Sequence, residues 1–385
     1  MSSAALRRGD LAALLAPLQT PFTCKSLNVP NRFCMAPMSR YFAPGGKLSA
    51  EGVEYYRRRA AAGVGTIITE GTGVAIDHSV AADTIPMFDG TDPLTAWKDA
   101  VDAVHAEGGA FVPQLWHVGG CMDFNFPDAP HAPLVSPSGF AGPDVPGGRA
   151  MSEQDIADTV AAFARSARAA KAIGCDAIEL HGAHGYIFDQ FFWDRTNLRD
   201  DRYGGPDIAD RTAFAAEVVR ACREAVGEDF AIIFRVSQWK TYDYDVKLGR
   251  DPDELFRWLD PLAQAGVDIF HASQRRFWEP EFEGDPKNLA GWVKQVTGRP
   301  VITVGSVGMD RDLMQDFVEG ISSPLLNRLQ DLVAIFERGE FELVALGRVL
   351  LADPDWVQKI ESGRIDDLTP YDRSVALQHY EHGQG

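Results

Sequence analysis

The stretch His181-Gly-Ala-His184-Gly-Tyr186 sets two imidazoles and a phenol within six positions, directly after the apolar run "CDAIEL". Three chemistries suit these residue types at this spacing. With Glu179, which shares a strand face with His181, the histidines can supply three ligands and leave an open position, as catalytic zinc requires. They can also be satisfied structural rings. Alternatively, two convergent donors can clamp a carbonyl or nitro oxygen while negative charge develops on it, with Tyr186 as general acid.

Other residues invite similar reasoning. The planar amide of Gln114 can donate to and accept from the carbonyl and N–H edges of a ring system. The guanidinium of Arg235 can stabilise a ring that becomes anionic. The two can equally satisfy each other or water inside a barrel. "TVGSVG" (303–308) and "ALGRVL" (345–350) each place a glycine, Gly305 or Gly347, beside a donor, Ser306 or Arg348. Bared backbone N–H groups with such donors suit a phosphate, although turn glycines beside a surface arginine have the same appearance.

A frame must bring these residues together. Eight β-rich runs recur, at 32–38, 65–70, 111–116, 177–182, 231–237, 269–273, 301–306 and 341–348, with helical patterns between them. In one of these, 153–173, Ile156, Val160, Phe163 and Ala167 keep i, i+3/4 spacing, with Ser152 as N-cap and Gly174 as stop. The alternation predicts a single (β/α)8 TIM barrel domain over 1–385, with 1–30 a lead-in and 349–385 a C-terminal tail. No early GxGxxG turn supports a doubly wound sheet instead. A long Pro/Gly-rich insertion after strand 3 (121–138 and 141–150) is expected over the catalytic face. The barrel rule puts function at the C-terminal strand ends, and phosphate at the ends of strands 7 and 8. Segment 309–340 carries nothing chemical. In the loop 273–288, Arg275, Arg276, Phe277 and Trp278 would touch nicotinamide or substrate, or else form a plain rim. A non-flavin phosphate-binding lyase or aldolase would need a Schiff-base lysine or a metal, and no lysine stands at the predicted strand ends.

Composition narrows the partners. With 55 acidic against 37 basic residues and a formal net charge of −18, the surface repels phosphate backbones and anionic lipid, so neither nucleic acid nor a membrane is expected. Hydrophobic residues make up 45% of the 385, enough for a large core. Five cysteines without a CxxC point to free thiols and a cytoplasmic, reducing setting. The first twenty residues read as a surface helix, and no run approaches the ~18 apolar residues of a membrane span. Monomer and homo-oligomer are both compatible with the sequence.

The longest motif is "HGAHGYIFDQFFWDRTNLRDDRYGG" (181–205). With "MAPMSR" (35–40), "ITEGT" (68–72), "PQLWHVG" (113–119), "FRVS" (234–237) and "LGR" (346–348), in that order, it resembles the old yellow enzyme family of FMN-dependent ene-reductases. The resemblance implies tightly bound FMN and NADPH or NADH as hydride donor. Ala36, Pro37, Met38 and Ser39 would line the flavin, Gly71 and Gln114 would contact its isoalloxazine, and Arg235 its pyrimidine side. Gly347 and Arg348 would hold the phosphate, supported by Gly305 and Ser306. His181 and His184 would bind the substrate oxygen, Tyr186 would give the proton, and Tyr41 and Trp116 would line the substrate face, with no metal. The implied reaction is ping-pong reduction of the activated C=C bond of an electron-poor alkene, an α,β-unsaturated carbonyl or nitro compound; nitrate esters and nitroaromatics are alternative acceptors. Ser39 departs from the family's usual threonine or cysteine, which bears on redox tuning. No cysteine cluster accompanies the motifs, so the iron–sulfur cofactor of larger relatives is not expected.

Overall fold

Parallel strands covered by helices are buried on both faces and read as apolar runs, and each of the eight predicted runs forms such a strand. They are β1 (Phe33–Met35), β2 (Thr66–Gly73), β3 (Ala110–Trp116), β4 (Ala177–His184), β5 (Ala231–Lys240), β6 (Ile269–Ser273), β7 (Val301–Val304) and β8 (Leu343–Leu346). All pairings between neighbours are parallel, β8 pairs with β1, and the barrel closes. The structure is a computed structural model and describes residues 8–121, 134–240, 243–309, 326 and 328–372.

Around the barrel run α1 (Ala50–Ala61), α2 (Thr91–Ala106), α3 (Glu153–Ala172), α4 (Ala213–Val226), α5 (Pro252–Ala265), α6 (Leu289–Thr297), α7 (Leu329–Glu337) and α8 (Trp356–Glu361). The predicted cap of α3 is a capping box. The Ser152 hydroxyl accepts from the Asp155 N–H, and the Asp155 carboxylate accepts from the Ser152 N–H. Gly174 follows the helix with φ +94°, as a stop residue should.

The tail, the lead-in and the insertion each carry structure of their own. The segment predicted as a tail from 349 onward contains α8, which completes the ring. Trp356 packs edge-on against Phe33 at 6.4 Å, and the Gln358 N–H donates to the Ala62 carbonyl. Residues 373–385 of that segment lie outside the described residues. The lead-in holds a hairpin, Phe22–Cys24 against Leu27–Val29, whose Leu27 and Val29 pack with inward residues of the barrel such as Cys34, Val112 and Ile233. At its turn, the Ser26 hydroxyl donates to the Asp176 carbonyl at 2.5 Å and accepts from the Ala231 N–H at 2.9 Å. Lys25 pairs with Asp268 at 2.7 Å. These contacts seal the N-terminal end of the barrel. The insertion after β3 is partly structured: 135–136 pairs with 149–150 and 140–142 with 145–146, while 122–133 and most of 309–328 lie outside the described residues.

Two register shifts break the ladders near the opposite rim, between Ile68 and Gly71 in β2 and between Gly182 and His184 in β4. Such bulges re-aim side chains at barrel rims. Among the described residues no helix is long and apolar enough to cross a membrane.

Candidate active site

Strict strand alternation would send His181 and His184 to opposite faces of β4. The bulge removes that conflict. His184 takes a left-handed backbone, φ +65°, and the two imidazoles meet edge to face with centroids 5.3 Å apart. Gly182 makes room, because a Cβ there would lie 2.1 Å from the Phe234 ring. Tyr186 completes the group, with its ring centroid 5.0 Å from His181 and 4.9 Å from Trp116.

The turn carrying these residues is held from below. The Asp189 carboxylate accepts from the Gly185 N–H at 2.7 Å and pairs with Lys240 at 2.5 Å, both side chains being fully buried. Ser237 accepts the His184 N–H at 3.0 Å. The imidazole of His184 stacks on Trp239 at 4.3 Å and 22°, and its Nε2 lies 2.9 Å from Ser273 Oγ. Nδ1 of His181 is buried and has no hydrogen-bond partner among the described residues.

Burial pushes both histidines well below the ordinary imidazole pKa, and the positive charge of Arg235 adds to the shift. Both rings are therefore neutral at pH 7. Glu179, weighed above as a metal ligand beside them, is engaged elsewhere. It accepts from the Gln114 amide at 2.7 Å and faces His271 Nδ1 at 2.6 Å. Burial raises its pKa, but His271, Arg235 and Gln114 together outweigh this and hold it below the usual glutamate value.

The predicted flavin residues gather at the same rim. Arg235 is buried on β5, donates to Ser273 Oγ at 3.3 Å, and has an unpartnered Nε among the described residues. Gly71 lies against Trp116, whose ring would be 2.7 Å from a Cβ at that position, so this glycine has a packing reason of its own. Ala36 follows β1 and bonds through its N–H to the Leu346 carbonyl; Pro37, Met38 and Ser39 come next, half-buried. Tyr41, φ +61°, packs with Trp116 and Tyr186 against Val80, Ala81, Ile85 and Val118. At β7 and β8 the predicted phosphate residues meet, with Arg348 Nη2 donating to Ser306 Oγ at 2.9 Å. Ser306 is left-handed, φ +52°, and Gly305, φ +154°, leaves no room for a Cβ beside the Gln274 carbonyl. At Gly347 a Cβ would meet nothing nearer than Met38 Sδ at 3.8 Å.

These features fit FMN. Arg348 with Ser306 suits a phosphate, and the unpartnered Arg235 Nε is a buried donor in need of an acceptor.

Two expectations need correction. Phe277 belongs to the core rather than to a substrate face, and Arg276 pairs with Glu279 at 2.8 Å. A lysine does end a strand: Lys240 closes β5, which runs three residues past the predicted end. Fully buried in its ion pair, it is unavailable as a Schiff-base amine. Sequence reasoning also missed Ser273 and Trp239. Ser273 carried a faint signal, since it ends a predicted strand and shares a face with His271.

Residues 17–323 match the model of the NADH:flavin oxidoreductase / NADH oxidase family. Similar proteins include 12-oxophytodienoate reductase 7 of Oryza sativa subsp. japonica, 32% identical over 369 residues and covering 89% of this chain and 87% of that one. The NADH oxidase of Thermoanaerobacter brockii is 31% identical over 354 residues, 89% of this chain. Those residues make up only 50% of the T. brockii protein, so the chain spans about half the length of that relative. Among solved structures, morphinone reductase in complex with tetrahydroNAD superposes with a TM-score of 0.75 at 25% identity, covering 93% of each chain.

Proposed function

Since this chain belongs to the NADH:flavin oxidoreductase / NADH oxidase family, the old yellow enzyme family, we propose that it is a single-domain FMN-dependent reductase of electron-poor alkenes, with NADH or NADPH as electron source. Bound FMN would supply the hydride chemistry that links the nicotinamide nucleotide to the acceptor's β-carbon. His181 and His184 bind the carbonyl or nitro oxygen of that acceptor and stabilise its growing negative charge. Tyr186 gives a proton to the α-carbon. Trp116 and Tyr41 wall the site and exclude water. Arg348 and Ser306, with the bare backbone of Gly305 and Gly347, would hold the phosphate. Arg235 and Gln114 would hold the ring, and Ala36, Pro37, Met38 and Ser39 would line it.

The observation that carries this reading is the bulge that turns two neutral imidazoles toward one another beside Tyr186, 5.3 Å and 5.0 Å between centroids. A site built for anionic oxygen needs N–H donors without lone competing ligands, and Glu179 is withdrawn from it.

The test is spectroscopic. The purified protein should show oxidised flavin bands near one per chain, and titration with a phenol should raise a long-wavelength charge-transfer band. His184→Ala should weaken the phenol, while a chelator should change neither band nor turnover. Activity lost on chelation and restored by zinc would overturn the reading.

A further inference from the structure

Gln114 and Glu179 are paired positions of the parallel ladder between β3 and β4, so their side chains leave the same face of the sheet. There the Gln114 Nε2 donates to Glu179 Oε1 at 2.7 Å. The second carboxylate oxygen reaches past β5 to His271 of β6, with Oε2 2.6 Å from Nδ1. Glu179 and His271 are fully buried and Gln114 is 2% exposed. The two ends of an amide have nearly the same shape, so chemistry must tell them apart. An ionised carboxylate has no proton to give. Burial alone would protonate Glu179, but His271 and Arg235 outweigh it and hold its pKa below the usual glutamate value. Even a proton shared along the contact to His271 would lie at Oε2, and Oε1 would still only accept. The NH2 of Gln114 therefore faces Glu179. Turning the amide over would set oxygen against oxygen inside the barrel with no proton between them. The amide oxygen is the end left without a hydrogen-bond partner among the described residues.

We propose that Glu179 is a positioning residue for Gln114: it locks the amide so that the oxygen, not the NH2, is presented to the flavin ring, and His271 anchors the carboxylate. Alone, an amide could meet a ring either way round. The carboxylate removes that choice, so Gln114 accepts from the ring, whereas the guanidinium of Arg235 can only donate to it. The ring edge between them is thus read by one acceptor and one donor of fixed sense. His271 suits its part because burial lowers its pKa against the opposing pull of Glu179. A neutral imidazole facing a carboxylate keeps its single proton on the near nitrogen, here Nδ1. The backbone of Gln114 is fixed as well, its N–H donating to Thr69 Oγ1 at 3.1 Å. The glutamate that shares a strand face with His181 is therefore engaged at both oxygens.

The role of the amide oxygen rests on the proposed function; the orientation of the amide does not. Side-chain 1H–15N spectra of the FMN-loaded protein labelled at glutamine, with the Gln114 signal assigned from its loss in Gln114→Leu, read the amide directly. One Nε2 proton should lie downfield, as a bond to a charged acceptor demands. Glu179→Gln, which keeps the shape but drops the charge, should move it upfield. Reducing the flavin with dithionite should move it far less than that substitution does. Glu179→Leu should weaken FMN by roughly three- to tenfold, the worth of one hydrogen bond. Glu179→Gln, whose oxygen can still receive the amide, should restore most of that loss. A Gln114 signal unchanged in Glu179→Gln, or one that follows flavin reduction more strongly than the substitution, overturns the proposal. Unchanged FMN affinity in Glu179→Leu overturns the positioning role. FMN affinity indifferent to Gln114→Leu would count against the proposed function, while the amide spectrum would still decide the Glu179 contact. Should Glu179→Leu fail to fold, the Gln114 signal in Glu179→Gln decides it.

Discussion

Tyr186 sits where a proton donor is needed, with Trp116 set edge-on at 82° to its ring. Protonation of a carbon next to a carbonyl is slow without a positioned acid, and such an acid contributes about 10²–10⁴-fold. Tyr186→Phe keeps the ring and this packing. Stopped-flow traces should show flavin reduction by NADH or NADPH nearly unchanged and reoxidation by cyclohexenone slowed within that range. Wild-type reoxidation in the variant would make Tyr186 a packed aromatic only. At this scale the sequence was informative where a residue's role is local. His181, His184 and Tyr186 share one motif, and Arg348 follows its own glycine. Trp239 was illegible and Ser273 only faintly legible, because their contacts to His184 run across strands and a serine at a strand end looks like any other. Phe277 misled for a related reason: nothing in "RRFWEP" tells which aromatic turns inward.

The turn from His184 to Tyr186 depends on a pair joining β5 to the short helix Ile187–Phe192. Lys240 and Asp189 are both fully buried and within 2.5 Å of one another. Removing one partner of such a pair strands a charge and typically costs 3–5 kcal/mol, whereas removing both is cheaper. Lys240→Met should therefore lower the unfolding free energy in urea by about 3–5 kcal/mol. Adding Asp189→Asn should recover more than half of the loss. A single variant with the midpoint of wild type would show that the pair contributes little. The eight strands were readable from their apolar runs to within a few residues. The bulge in β4 was not, since Gly182 reads as a plain glycine until Phe234 is seen to occupy the place of its Cβ. The six residues of α8 were also missed, because so short a helix offers little periodicity, and its burial against Phe33 is a tertiary fact.

Over the whole molecule, several histidines are buried and neutral, and their protonation opposes folding. His117 is the clearest: burial, and then the charge of nearby His78, pushes its pKa down to about 3, and its Nδ1 accepts the Gly119 N–H at 2.9 Å. The unfolded imidazole titrates near ~6.5. Above that value both states are neutral and nothing is lost; as pH falls from about 6.5 toward 3 the unfolded state binds the proton and the folded state does not. Stability should thus fall on acidification, by up to about 1.4 kcal/mol per pH unit for this one residue. His117→Asn should take up nearly one proton fewer on unfolding at pH 5, measured from urea midpoints across pH. An identical slope in both proteins would mean that His117 is charged when folded. The hairpin seal adds a constraint of another kind, in time. Residues 22–29 are made early, yet the floor they plug includes Leu343 and Ala345 of β8, and the hydrogen bond from Arg32 to the Glu342 carbonyl spans 310 residues. At roughly 5–20 residues per second a ribosome needs about 15–60 s to cross that interval. Throughout it Leu27 and Val29 have no finished barrel to enter, so the nascent chain carries an uncovered greasy segment that invites chaperones, and the ring can close only when its last strand arrives.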